Sequence, residues 1–230
     1  MLQKVKQVET RGGVTSTAGE KESILETLRK QIATHLLPPG SKLRESELAS
    51  RYSVSRARIR DAFQVLEQRG LIERVPNHGA IVVRLDADEV VQLYDVREML
   101  EALAARLAAQ QSKPTTWAPL KKRFGPDLEQ ALADENFDPY LSAITELNRT
   151  ILKQADSKIL TEFLSQISDR TQIYARRVIV LPGRAKIGLK LHRRLLDALS
   201  AGDAECAERL KREIIAGAKS HLMRFKQFVL

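Results

Sequence analysis

The sequence predicts a mainly α protein in two parts, and three observations support this. Residues 20–84 contain two amphipathic helix patterns with a short helix between them, followed by a hairpin signal. Beyond Leu85, helical periodicity runs almost without interruption to the end. Between the two patterns of the first part, arginine recurs at 56, 58 and 60, where a helix should begin.

The elements follow in order. Residues 1–19, with Gly12, Gly13 and Gly19 and no apolar periodicity, read as a flexible arm. In ESILETLRKQIATHLL, the residues Ile24, Leu28, Ile32 and Leu36 recur every four positions and form one face of a helix, which Pro38, Pro39 and Gly40 end. A short helix over 45–52 turns Leu48, Ala49 and Tyr52 inward, and Ser53 and Val54 make a tight link. Ser55 is then a good N-cap. From it Ile59, Ala62, Phe63 and Leu66 form the buried stripe of a third helix that ends at Gly70. LIERV and AIVVR are β-rich runs joined by Pro76-Asn77-His78-Gly79, a hairpin turn. That order of elements is a winged helix-turn-helix.

The arginines violate a local rule. The first turn of a helix carries the positive end of its dipole, and each cation there costs roughly 0.3–1 kcal/mol. A polyanion resolves the conflict. Arg56 and Arg60 share an outward face one turn apart and Arg58 projects from the flank, so the helix start presents a fan of guanidinium groups. Such groups suit phosphate oxygens and the O6 and N7 edge of guanine. The plainer alternative is a solvated face partly neutralised by Asp61 and Glu67.

In the second part, Asp86 and Glu89 form a capping-box signal. Leu93, Val96, Leu100, Leu103 and Leu107 then recur along one face. Further helices are indicated around 117–134, 139–154, 157–178, 185–200 and 204–227, and VIVL at 178–181 is the one strand-like run. Residues 85–230 therefore read as an all-α helical bundle.

Composition limits the function. The 230 residues are 43% hydrophobic with a net charge of +9, enough for a packed core and consistent with an anionic partner. The first 83 residues carry 14 Lys and Arg against 9 Asp and Glu, so the N-terminal third is the more basic per residue. The N-terminus is polar and no apolar run approaches the ~18 residues of a membrane span, so a cytoplasmic protein without membrane partners is expected. Cys206, the single cysteine, lies in a helical pattern and reads as a packed or partly exposed thiol. Histidines at 35, 78, 192 and 221 are scattered, with no metal motif, nucleophile motif or glycine-rich phosphate loop. No enzyme is expected. The alternative is a metabolite-processing or metal-dependent enzyme with a basic accessory domain. No interleaved aromatic platform favours RNA.

Over residues 20–84 the chain resembles the DNA-binding domain of the GntR family of bacterial transcriptional regulators. Pro39-Gly40, Leu43, Glu45, Glu47-Leu48-Ala49, Val54-Ser55-Arg56, Arg60, Ala62, Leu66, Gly70-Leu71 and Gly79 carry the likeness. The resemblance implies that Arg56, Arg60 and the wing residue His78 touch operator DNA. A second-helix arginine that does so in relatives corresponds to Ser46 here. With Arg58 from geometry, the DNA-binding candidates are Ser46, Ser55, Arg56, Arg58, Arg60, His78 and Gly79. EVVQLYDVREMLEALAARLAA, LNRTILKQADSKIL and LHRRLLDALSAGDAECAERL resemble the all-helical domain of the FadR-type (FCD) subfamily. That likeness implies a homodimer on an inverted-repeat double-stranded DNA operator, more often repressing than activating, and a small-molecule effector, an organic acid. In many relatives an Asp, a His four residues on and two later His hold a divalent metal. The matching positions are Ile144, Asn148, His192 and Glu213, a degenerate set that falls short of a metal site. No cofactor is expected, and the effector is held by hydrogen bonds and charge at Arg97, Asn148, His192 and Glu213. Arg97 could instead bridge to Glu101, and His192 could be a satisfied helix histidine.

Overall fold

A computed structural model describes residues 23–229 apart from 35, 77, 78 and 85; for 168, 172, 173, 228 and 229 it describes the backbone alone. The arm expected over residues 1–19 lies outside the described residues, as does His78. The first element among the described residues is helix α1 (Ile24–Ala33), capped by Ser23, whose hydroxyl accepts from the Glu26 N–H at 3.2 Å. Leu28 and Ile32 are buried, but Leu36 is not in the helix and is 74% exposed. Thr34 closes α1 early, and Leu37 packs against the core in place of Leu36.

Strand β1 (Lys42–Leu43), helix α2 (Glu45–Tyr52) and helix α3 (Arg56–Gln68) follow. Ser53 takes a left-handed conformation (φ 53°), which makes the α2–α3 link tight. Ile59, Ala62, Phe63 and Leu66 hold α3 to the core, as their spacing predicts. Strands β2 (Ile72–Val75) and β3 (Gly79–Val82) complete a three-stranded antiparallel sheet in the order β1-β3-β2. Strand β1 was not foreseen. It pairs through Leu43 and Ala80, and Gly79 makes that possible: at φ +88°, a Cβ there would sit 2.2 Å from the Leu43 carbonyl oxygen.

The second part is helical among the described residues. Helix α4 (Ala87–Gln111) opens with the capping box between Asp86 and Glu89. After a 3-10 turn (Pro114–Trp117), Gly125-Pro126 splits one expected helix into α5 (Ala118–Arg123) and α6 (Pro126–Ala133). Helices α7 (Asp138–Ala155), α8 (Lys158–Ile179), α9 (Arg184–Ala201), α10 (Ala204–Arg224) and α11 (Lys226–Val229) complete it. The run VIVL ends α8 instead of forming a strand. Helix α4 is central, packed against α7, α8, α9 and α10. No helix among the described residues is long and apolar enough to cross a membrane.

Helix α4 corrects one expectation. The leucine stripe is not its core face: Leu93, Leu100 and Leu107 are half-buried, Val96 is 49% exposed and Leu103 43% exposed. The inward stripe is Val90, Tyr94, Arg97, Glu101, Ala104 and Ala108, set one turn apart, with a charged pair at its middle and alanines after it. Alanines let neighbouring helices approach closely. The charged pair marks where the bundle leaves room.

Candidate nucleic-acid interface and effector cavity

The N-terminal end of α3 carries the basic group. Ser55 is spent on capping, its hydroxyl accepting from the Arg58 N–H at 3.3 Å. No acidic residue stands in the first turn of α3, and Arg56, Arg58 and Arg60 are all exposed. Among the described residues no carboxylate pairs with Arg56 or Arg58. Arg60 reaches back to α2 and meets Glu45 at 3.1 Å, and that hydrogen bond raises its pKa. Ser46 lies exposed in the first turn of α2, between Glu45 and Glu47. From strand β2, Arg74 donates to the Arg60 carbonyl at 3.0 Å, tying the wing to α3. Gly79 stands at the turn end of the wing, paired with Val75, where its lack of a side chain admits β1.

A cavity of about 550 Å³ opens among the bundle helices, with Arg97, Asn148, Ile144 and His192 on its wall. Glu213 is not there. It is exposed on α10, because the residues of α10 that face inward are Lys211, Ile214, Ile215 and Ala218, and Glu213 falls between those turns. Sequence reasoning missed Lys211 and Arg184, both in the cavity wall and about as buried as the leucines around them.

These charges form a chain. Arg97 donates to Glu101, so its bridge and its place in the cavity wall coexist. The other Glu101 oxygen faces the Lys211 ammonium at 2.6 Å, and Lys211 donates to Asn148 Oδ1 at 2.6 Å. Burial alone would raise the Glu101 carboxyl, but Arg97 and Lys211 outweigh it and hold it down to about 2. Arg184 donates from Nη2 to the Ile214 carbonyl at 2.9 Å, while Nε and Nη1 are buried without an acceptor. No carboxylate among the described residues neutralises it, and burial pulls its pKa down.

His192 lies beside this group. Its Nδ1 is 2.8 Å from the Gly188 carbonyl and 2.9 Å from the Tyr140 hydroxyl. A carbonyl only accepts, so the proton of the neutral ring sits on Nδ1. Burial, and next the Lys211 charge, push the imidazole down to about 3. Gly188 has no side chain for a reason: a Cβ would stand 2.5 Å from the Tyr140 oxygen.

The degenerate metal set does not fit a divalent cation. Ile144 has no donor atom, the Asn148 oxygen is taken by an ammonium, and Glu213 is elsewhere. Arg97, Arg184 and Lys211 set three cations against Glu101, and the wall's other carboxylate, Asp169, is already held by Arg29 and Arg69.

At the far end of the cavity wall, Asp169 of α8 is 5% exposed and accepts from Arg29 of α1 and from Arg69, which caps the C-terminus of α3. The cavity and the recognition helix therefore share a side chain.

A basic helix start on a winged helix-turn-helix, joined to a helical domain with a ligand-sized cavity, defines a DNA-binding regulator. Residues 20–82 match the family "Bacterial regulatory proteins, gntR family" and residues 92–217 match the "FCD domain". The chain belongs to the GntR family of bacterial regulatory proteins, with an FCD domain. It is 26% identical to the HTH-type transcriptional regulator YdhC of Bacillus subtilis (strain 168), over 79% of this chain and 81% of that protein. It is 25% identical to the HTH-type transcriptional repressor RspR of Escherichia coli (strain K12), over 82% of each. The solved structure of E. coli McbR/YncC shares the fold, with a TM-score of 0.75 and 21% identity over 89% of this chain and 96% of that one. The chain is a transcriptional regulator and not an enzyme.

Proposed function

We propose that this regulator acts in the cytoplasm as a homodimer, setting the start of each α3 on one half-site of an inverted-repeat operator. It represses, and a small organic acid entering the cavity alters its hold on DNA. Residues 20–84 read DNA; the helical part after them holds the effector and the dimer contact. The DNA contacts are assigned to Arg56, Arg58 and Arg60, together with Ser46, Ser55, His78 and Gly79. The effector contacts are Arg97, Asn148, His192 and, in place of Glu213, Lys211 and Arg184. No metal takes part.

One observation supports the acid above all others: Arg184 is a buried guanidinium with no carboxylate partner among the described residues. An unpaired buried charge costs several kcal/mol, and an anionic ligand removes that cost. The dimer is supported by α4, where Val96, Met99 and Leu103 form an exposed apolar face at i, i+3 and i+7.

The test is selection of bound duplexes from a random pool by the full-length protein, followed by titration of the enriched duplex with organic acids. The expected product is an inverted repeat whose binding changes with acid. A single, asymmetric half-site would overturn the dimer reading, and indifference to every acid would overturn the effector reading.

A further inference from the structure

The cavity that should hold a cation in the family pattern already contains one, covalently part of the chain. Lys211 is 2% exposed and fixed at 2.6 Å from both Glu101 Oε2 and Asn148 Oδ1. Asn148 is one of the positions that would ligate a metal, so its oxygen is turned to an ammonium instead. Arg184 joins α10 at the Ile214 carbonyl, one turn along from Lys211. Both charges bear on His192. The rest of the wall is mainly aliphatic, with Ile144, Leu164 and Val178, although Thr145, Ser165 and Arg149 also line it. The cavity's 550 Å³ is far more than the ~30 Å³ share of a water, so a small inorganic anion would leave it mostly empty.

We propose that Lys211 stands in for the divalent cation, so that an amphipathic carboxylic acid binds without metal, its carboxylate on Lys211 and Arg184 and its apolar body along the aliphatic wall. This rests on the anionic-effector reading and adds two things: no metal bridges the ligand, and the ligand body is hydrocarbon, not polyhydroxylated. A carboxylate placed there supplies the acceptor that Arg184 Nε and Nη1 lack and balances the excess positive charge.

The experiment uses the full-length protein stripped with EDTA, titrated calorimetrically with octanoate and with gluconate, in EDTA and again with Ni²⁺ or Zn²⁺. Octanoate should bind in EDTA and added metal should leave its affinity unchanged. Lys211→Gln should weaken octanoate by roughly ten- to a hundredfold, the loss expected for a hydrogen bond to a charged group. If Lys211→Gln does not fold, the wild-type comparison with and without metal decides alone. Octanoate binding only when metal is supplied overturns the inference and leaves the anionic effector standing. Gluconate binding in EDTA where octanoate does not also overturns it, and again spares the broader reading. If neither acid binds under any condition and none of a wider panel alters operator binding, both fall together.

Discussion

Asp169, buried in the cavity wall on α8, accepts a hydrogen bond from Arg69, the residue that closes helix α3. Its second oxygen takes Arg29 of α1. One carboxylate thus holds two elements of the N-terminal part against a helix that borders the cavity. Replacing Asp169 by Asn should lower unfolding stability by about 1–3 kcal/mol, since two charge-assisted bonds weaken while both arginines retain some access to water. The same variant should still bind acid but lose most of the acid's effect on operator affinity, ordinarily a 5- to 150-fold coupling. Urea melts and anisotropy titrations with and without acid measure the two. An undiminished acid effect would show that coupling runs by another route.

On α3, Arg56→Ala should cost about 1–3 kcal/mol of operator binding and relax sequence preference if it reads a base. Arg60→Ala should cost less, because DNA must first displace Glu45. Glu45→Gln should therefore tighten binding to unrelated duplexes. A steeper loss for Arg60 than for Arg56 in salt-matched titrations would contradict this order.

Acid should destabilise the helical part in two stages. The unfolded chain protonates His192 below its ordinary pKa of 6.5, whereas the folded chain resists until about 3. Stability is therefore full above pH 6.5 and falls as pH drops, by up to about 1.4 kcal/mol per unit from this group. Below 4.5 Glu101, held at about 2, adds a second loss. His192→Asn should flatten the stability profile between pH 6.5 and 4.5; an unchanged slope in melts across that range would assign it to other groups.

Leu103→Glu, on the exposed face of α4, should convert the proposed dimer to monomer in light scattering and weaken operator binding with it. A variant that stays dimeric would move the subunit contact elsewhere.

The elements were largely legible in the sequence, because caps and apolar spacing are local. Ser55 before Ile59, Ala62 and Phe63 announces α3, and Asp86 with Glu89 announces α4. Strand β1 left no such mark: two residues make no alternating pattern, and its partner comes nearly forty residues later. The cavity's charges were hidden for another reason. Lys211 in RLKREII looks like a solvated helix lysine, yet it stands in the stripe Ala207, Lys211, Ile214, Ala218 that α10 turns inward. Arg97 and Glu101 interrupt the inward stripe of α4 in the same way. A charge at a core register position was the available signal, and the leucines of α4 drew attention to the wrong face. Glu213 was a transfer by position along a helix, where a shift of two residues points the side chain to the opposite side.

The contact between Arg60 and Glu45 also bears on how the protein searches a genome. If α3 meets DNA as proposed, Arg56 and Arg58 arrive without a carboxylate partner among the described residues, whereas Arg60 must first leave Glu45, so loose backbone contact needs only the first two. Release requires a sequence whose base edge outcompetes a neighbouring carboxylate. On the proposed contacts, the acidic residue of α2 would set a threshold that a duplex must exceed before the third arginine engages.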